Sequence, residues 1–253
     1  VSPLAAIHKR LPMKPLMVTC LLFYTLVAGL LIAISYSLDA PMNQFIDNMK
    51  VSREWKNVED MYVISSFAEG DDVGTYAGTT NSLERSMYNF YQRISELPGV
   101  YIAQGQFLNQ ESLDAVYGTY QHVPKKPFWY LKFSYNYLKD LGIPLSDEEL
   151  LEMRNGTRLY LLPNTLNTEE LEVMKAYLQE SVTVKPGDLQ TNFTENPKFM
   201  FKVYQPSRSI FTWSDSISYG TTSENPVIFV STPENLYFME SANLVVSGYN
   251  GLL

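Results

Sequence analysis

Two histidines, one cysteine and 27 acidic residues are the groups through which this 253-residue chain could do chemistry. His8 lies in a basic N-terminal stretch. His122 stands beside Val123-Pro124 in a segment that reads as a loop, so one imidazole would have to serve any triad or metal site alone. The sequence holds no His-Glu-x-x-His, no Gly-x-Ser-x-Gly elbow and no phosphate-cradling Gly-rich loop with lysine. Paired carboxylates remain open, because a sequence does not place its acids in space. Most of them fall in the first turns of helices, where they complement the helix dipole. The Asp71-Asp72 pair within Glu69–Gly74 lacks the alternating oxygen ligands of an EF-hand and reads as a solvated turn. The expectation is a non-enzymatic segment with no catalytic, metal or cofactor residues; ligand-binding residues stay unassigned.

The elements that would position any such site begin with a greasy helix. From Pro15 to Leu38 there is no charged residue, a run long enough to cross ~30 Å of hydrocarbon. A cleaved signal peptide would have a shorter apolar core, and Ala40 is followed by Pro41, which spoils a cleavage site. Lys9, Arg10 and Lys14 precede the run and all 27 acids follow it, so the part from Asp39 onward carries about −11. That asymmetry predicts residues 1–14 as a cytoplasmic basic segment, 15–38 as a transmembrane helix and 39–253 as an extracytoplasmic domain. So acidic a surface excludes nucleic acid as a partner. Cys20, the only cysteine, lies inside the apolar run, so no intrachain disulfide forms; an outer domain of this size without one points to a Gram-positive cell surface. The sequons at Asn155 and Asn192 are short enough to arise by chance.

The outer part predicts a mixed α/β, or α+β, fold. Asp39 to about Lys56 continues the membrane helix, with Met42, Phe45, Ile46 and Met49 at helical spacing, as a stalk or as a packed first helix. Met61–Ser65 reads as a strand. Asn81–Leu97 is the clearest helix, with Leu83, Met87, Phe90, Ile94 and Leu97 on one stripe and Pro98-Gly99 ending it. Val100–Gln106 follows as a strand. Alternation of Trp129, Leu131, Phe133, Tyr135 and Tyr137 predicts a longer one whose aromatic row covers a core rather than a ligand. Ser146-Asp-Glu-Glu and Asn167-Thr-Glu-Glu open capped helices running to about Gly156 and Glu180. Thr157–Leu162, Phe199–Tyr204, Ser209–Trp213 and Pro226–Val230 read as strands. Glu234-Asn-Leu-Tyr-Phe-Met-Glu approaches a viral protease site, but Met239 stands where glutamine is required, and it reads as native sequence.

Several separated stretches carry a resemblance. They are the basic segment and membrane helix followed by Glu54-Trp55-Lys56 and Met61-Tyr62-Val63; Phe133-Ser-Tyr-Asn-Tyr-Leu-Lys; Leu159-Tyr-Leu-Leu-Pro; Ile210-Phe-Thr-Trp; and Asn225-Pro-Val-Ile-Phe-Val-Ser-Thr-Pro-Glu-Asn. In this order they resemble the bacteriocin-associated integral membrane proteins of Gram-positive bacteria, related to MacB/FtsX-like ABC-transporter permeases. The resemblance implies a permease with further membrane helices beyond Leu253, a separate cytoplasmic ATPase as partner, and a role in export, immunity or sensing of an antimicrobial peptide. It implies no catalytic residue. The start at Val1 in a basic stretch and the open end at Gly251-Leu252-Leu253 fit a piece of such a chain. A single-pass surface binding or adhesion protein is the alternative reading.

Overall fold

A computed structural model describes residues 13–58, 60–61, 82–183, 197–214, 219–237 and 240. The chain divides into two compact units, Val1–Arg53 and Glu54–Leu253.

The first unit is the bulk of helix α1, which runs Met13–Lys56. Its 44 residues extend about 66 Å at 1.5 Å per residue. It is long and apolar enough to cross a membrane, and its most apolar window is covered by nothing among the described residues. Four hydroxyls within the apolar run return to the helix's own carbonyls. Thr19 donates to Pro15 O at 2.8 Å, Thr25 to Leu22 O, Ser35 to Leu31 O and Ser37 to Ile34 O, each of the last three at 2.9 Å. None needs water, which is the condition for a polar side chain to enter hydrocarbon. Met42, Phe45, Ile46 and Met49 are exposed.

The second unit is a five-stranded mixed sheet with helices on both faces. In chain order it comprises α2 (Ser82–Ile94), β1 (Ala103–Leu108), α3 (Gln110–Asp114), β2 (Phe128–Ser134), α4 (Tyr135–Asp140), α5 (Asp147–Arg154) and β3 (Arg158–Pro163). Then come α6 (Thr168–Thr183), β4 (Phe199–Tyr204), β5 (Ile210–Phe211), β6 (Thr222–Ser223), β7 (Val227–Ser231) and a 3-10 turn at Pro233–Asn235. The sheet order is β1-β2-β7-β3-β4, with β5 and β6 forming a separate ribbon. β1–β2 and β3–β7 pair antiparallel, while β2–β7 and β3–β4 pair parallel. The expected α+β class is therefore present behind a long apolar helix. Both faces are covered, so the central strands read as continuous apolar runs: every residue of β3 and β7 is buried.

Local chemistry explains most boundaries. Ser146 and Glu149 form a reciprocal capping box at the start of α5, and Asn167 and Glu170 exchange the same pair of bonds at the start of α6. After α2 the chain turns through Gly99, at φ +78°. β4 has the expected bounds; β1 begins three residues later than expected. β5 is only the two residues Ile210–Phe211 of the expected five. Of the strand expected at Met61–Ser65 only Met61, which is in no strand, is described; its other residues, the turn at 69–74, the Asn81 cap and Asn192 lie outside the described residues.

One expectation is overturned. The aromatic strand stops at Ser134, and Tyr135–Asp140 is helical. The Ser134 hydroxyl accepts the Ile102 N–H at 3.0 Å, while Asn136 donates to the carbonyl of Val100, so the chain is tied back toward β1 and cannot extend. Phe133, near the end of β2, and Tyr137 of α4 still meet, ring centroids 4.9 Å apart. Periodicity alone could not tell strand from helix.

Gly105 in β1 is required for a close approach. A Cβ there would lie 1.8 Å from the backbone oxygen of Thr212. Gly105→Ala is expected to cost about 3 kcal/mol as β1 and the β5–β6 ribbon are forced apart. Urea unfolding of the detergent-solubilised chain measures it, and an unchanged midpoint would show that the carbonyl does not sit over β1.

Candidate functional site

The sheet carries one polar cluster in its interior. Arg158, the first residue of β3, points into the face formed by Tyr160, Leu162, Val227 and Phe229, and is 1% exposed. A guanidinium there must find its partners inside the protein. Glu240 supplies a two-pronged pair: Nη1 donates to Oε2 at 2.8 Å and Nη2 to Oε1 at 2.9 Å. Nη1 also donates to Asn235 O at 3.2 Å and Nε to the Tyr160 hydroxyl at 3.1 Å, while the Phe229 ring lies 4.2 Å from the guanidinium carbon. Tyr130 in turn shares a side-chain hydrogen bond with Tyr160.

Asn235, wholly buried, finishes the cluster. Its Nδ2 donates to Val230 O at 2.9 Å and Thr157 O at 3.3 Å, and its Oδ1 accepts the Thr232 N–H at 2.9 Å. The Glu240 carboxylate additionally accepts the Tyr237 N–H at 3.1 Å. Burial by itself would raise the Glu240 pKa. The charge of Arg158 and its hydrogen bonds outweigh that and bring it down to about 2. On Arg158 burial works against the charge, and Glu240 more than restores it, holding the pKa above its ordinary value. This ion pair clips the segment from Thr232 to Glu240 onto the sheet.

A second anchor sits on the opposite face. The second unit opens with the last turn of α1, and Trp55 packs edge-on against Phe211 and Trp213, with centroids 5.1 and 6.1 Å away. Trp213 is 1% exposed and held at φ +56°, a region that a tryptophan rarely visits. Its indole N–H donates to the Tyr137 hydroxyl at 2.9 Å, and burial pushes the Tyr137 pKa up to about 12, so the phenol stays neutral.

His122 is half-exposed, with Nδ1 2.5 Å from Glu180 Oε1; Glu180 Oε2 accepts the N–H groups of Gln121 at 2.7 Å and His122 at 3.1 Å. Partial burial works to raise the Glu180 pKa, but these donors lower it on balance. Among the described residues no group of three His, Cys, Asp or Glu gathers to hold a metal. Lys126 to Glu170 at 2.7 Å continues the contact, so segment 121–126 is strapped along α6 by charge. Trp129, Leu131 and Phe133 are buried in the core, as the sequence predicts for an aromatic sheet face.

The sequence reading missed both anchors. A charge heading an otherwise apolar strand, Arg158-Leu-Tyr-Leu-Leu-Pro, was the available signal, because such a charge has to be paired. No protein-family description, characterised protein or solved structure matches this chain.

Glu240→Gln is expected to destabilise the fold by roughly 3–5 kcal/mol, since it leaves a buried guanidinium uncompensated. The folded-state pKa of Glu240 is depressed, so its contribution is complete above about pH 4.5 and is lost as pH falls toward 2. Unfolding free energy measured from pH 6 down to pH 2 should fall in the wild type and lose this component in Glu240→Gln. Equal stability of the two proteins at pH 6 would contradict the pairing.

Proposed function

We propose that this chain is one membrane helix and the outer domain of a MacB/FtsX-like permease that handles a bacteriocin or related antimicrobial peptide in export, immunity or sensing. The N-terminus lies in the cytoplasm and the domain outside. A separate cytoplasmic ATPase supplies the energy, and the domain performs no chemistry of its own; it binds or relays.

The observation that carries this reading is α1: an apolar run whose serine and threonine hydroxyls are all bound to the helix itself, in the same helix whose last turn opens the outer domain at Trp55. Charge asymmetry supports the orientation, since cations precede the run and all 27 acids follow it. The two anchors support a relaying role. Trp55 and Glu240 lie near the beginning and the end of the described domain and grip opposite faces of one sheet, so a displacement at either is resisted by the whole sheet rather than absorbed by a loop.

Cys20 gives a direct test of topology, because Cys20→Ser leaves a background free of thiols. Lys125, 86% exposed in its side chain, should react as Lys125→Cys with a membrane-impermeant maleimide in intact cells, whereas Lys9→Cys should react only after lysis. Labelling of Lys9→Cys in intact cells with protection of Lys125→Cys would overturn the orientation.

A further inference from the structure

β4 stands at the edge of the sheet, and among the described residues no strand pairs with its outer side. Which of its backbone groups face outward follows from the ladder. Arg158 N–H donates to Lys198 O at 2.9 Å and Asn164 N–H to Tyr204 O at 2.9 Å. In a parallel ladder the groups that face the partner alternate along the strand, so 198, 200, 202 and 204 look toward β3. The N–H and C=O of Phe199, Phe201 and Val203 therefore look away from the sheet.

Side chains agree with this register. Phe199 and Phe201 stack on one face with Tyr160, while Met200 and Tyr204 join the core on the other. Val203 is 52% exposed.

Natural edges are commonly guarded by a projecting lysine, a proline or a bulge. β4 contains no proline, and its lysine is not on guard: Lys202 is drawn 2.9 Å from Glu149 of α5, which leaves its charge neutralised against the helix. Exposed Asp147 and Glu148 begin that same helix, and neither forms an ion pair among the described residues; Lys198 is the one exposed cation at the head of the strand. Taken as a whole, this neighbourhood included, the part of the chain from Asp39 onward carries about −11.

We propose that the outer edge of β4 is a docking site for an extended cationic peptide, which adds to the sheet as a sixth strand through the backbone of Phe199, Phe201 and Val203. Backbone pairing tolerates many sequences, and the acidic surroundings select for positive charge and speed encounter. This deepens the permease reading by naming the ligand class and its seat, and it rests on that reading for the peptide's biological source.

The test uses the full chain in nanodiscs and a fluorescent (Lys-Val)5 probe. Val203→Pro removes one outward N–H, leaves the β3–β4 ladder whole and sacrifices little packing. Expected are saturable binding to the wild type and at least tenfold weaker binding to a Val203→Pro protein of unchanged unfolding temperature. Equally weakened binding is expected for a probe N-methylated at alternate residues and for (Glu-Val)5. If Val203→Pro does not fold, the N-methylated probe decides the matter on wild-type protein. Full-strength binding of that probe, of (Glu-Val)5, or by folded Val203→Pro overturns the proposal. So does absence of binding, including the case in which β4 instead pairs two copies and Val203→Pro converts a dimer to a monomer. Maleimide labelling reads topology independently of any peptide, so a failed docking site would leave the permease reading standing.

Discussion

An apolar surface that nothing among the described residues covers is the constraint on which the rest of the structure depends. Leu16, Leu21, Leu22, Phe23, Leu26, Leu30, Leu31 and Ile32 are all exposed on α1, and at ~25 cal/mol per Å2 such a surface cannot remain in water at tolerable cost. Hydrogen bonding points the same way. Thr19, Thr25, Ser35 and Ser37 spend their hydroxyls on the helix itself, so the serines and threonines of the run make no polar demand on lipid. Tyr36, 79% exposed near the end of the run, has the amphipathic character of residues that settle at a membrane–water boundary.

The second unit solves a different problem. A mixed sheet buried on both faces has no wet side on which to hide a charge, yet Arg158 lies in its interior. The solution is a network in which the guanidinium meets Glu240, Tyr160 and the Asn235 carbonyl, while Asn235 and Tyr130 are themselves satisfied. A well-packed apolar pair would serve stability as well or better. An ion pair adds selectivity of position: only the segment carrying Glu240 completes the site. On the other face, Trp55 grips Phe211 and Trp213 by ring packing, with the Trp213 indole held by the Tyr137 hydroxyl, at the expense of a left-handed backbone at Trp213.

Legibility followed the range of the interaction. The helices opened by Ser146 and Asn167 were readable because their capping boxes are complete within four residues. Strands β3, β4 and β7 were readable because short apolar runs bounded by turn residues have few other uses. The turn at Ser134 was not, since its cause is a bond to Ile102, 32 residues back. Nor was the pairing of Arg158 with Glu240, 82 residues apart, or the grip of Trp55 on Phe211 and Trp213. Of the candidate site, the sequence offered His122 as a lone imidazole but not its partner Glu180 across the strap. Glu234–Glu240, dismissed as a chance likeness to a protease site, supplies the buried Asn235, Leu236 and Tyr237 and the carboxylate of the central ion pair.

Whether the greasy helix stays in lipid is decided by fractionating cells that express the chain, washing membranes in alkaline carbonate, and weighing the recovered protein by intact mass. Retention in the membrane pellet of a species that still carries the residues before Asp39 is the predicted result. A carbonate-soluble species beginning at or after Asp39 would contradict it.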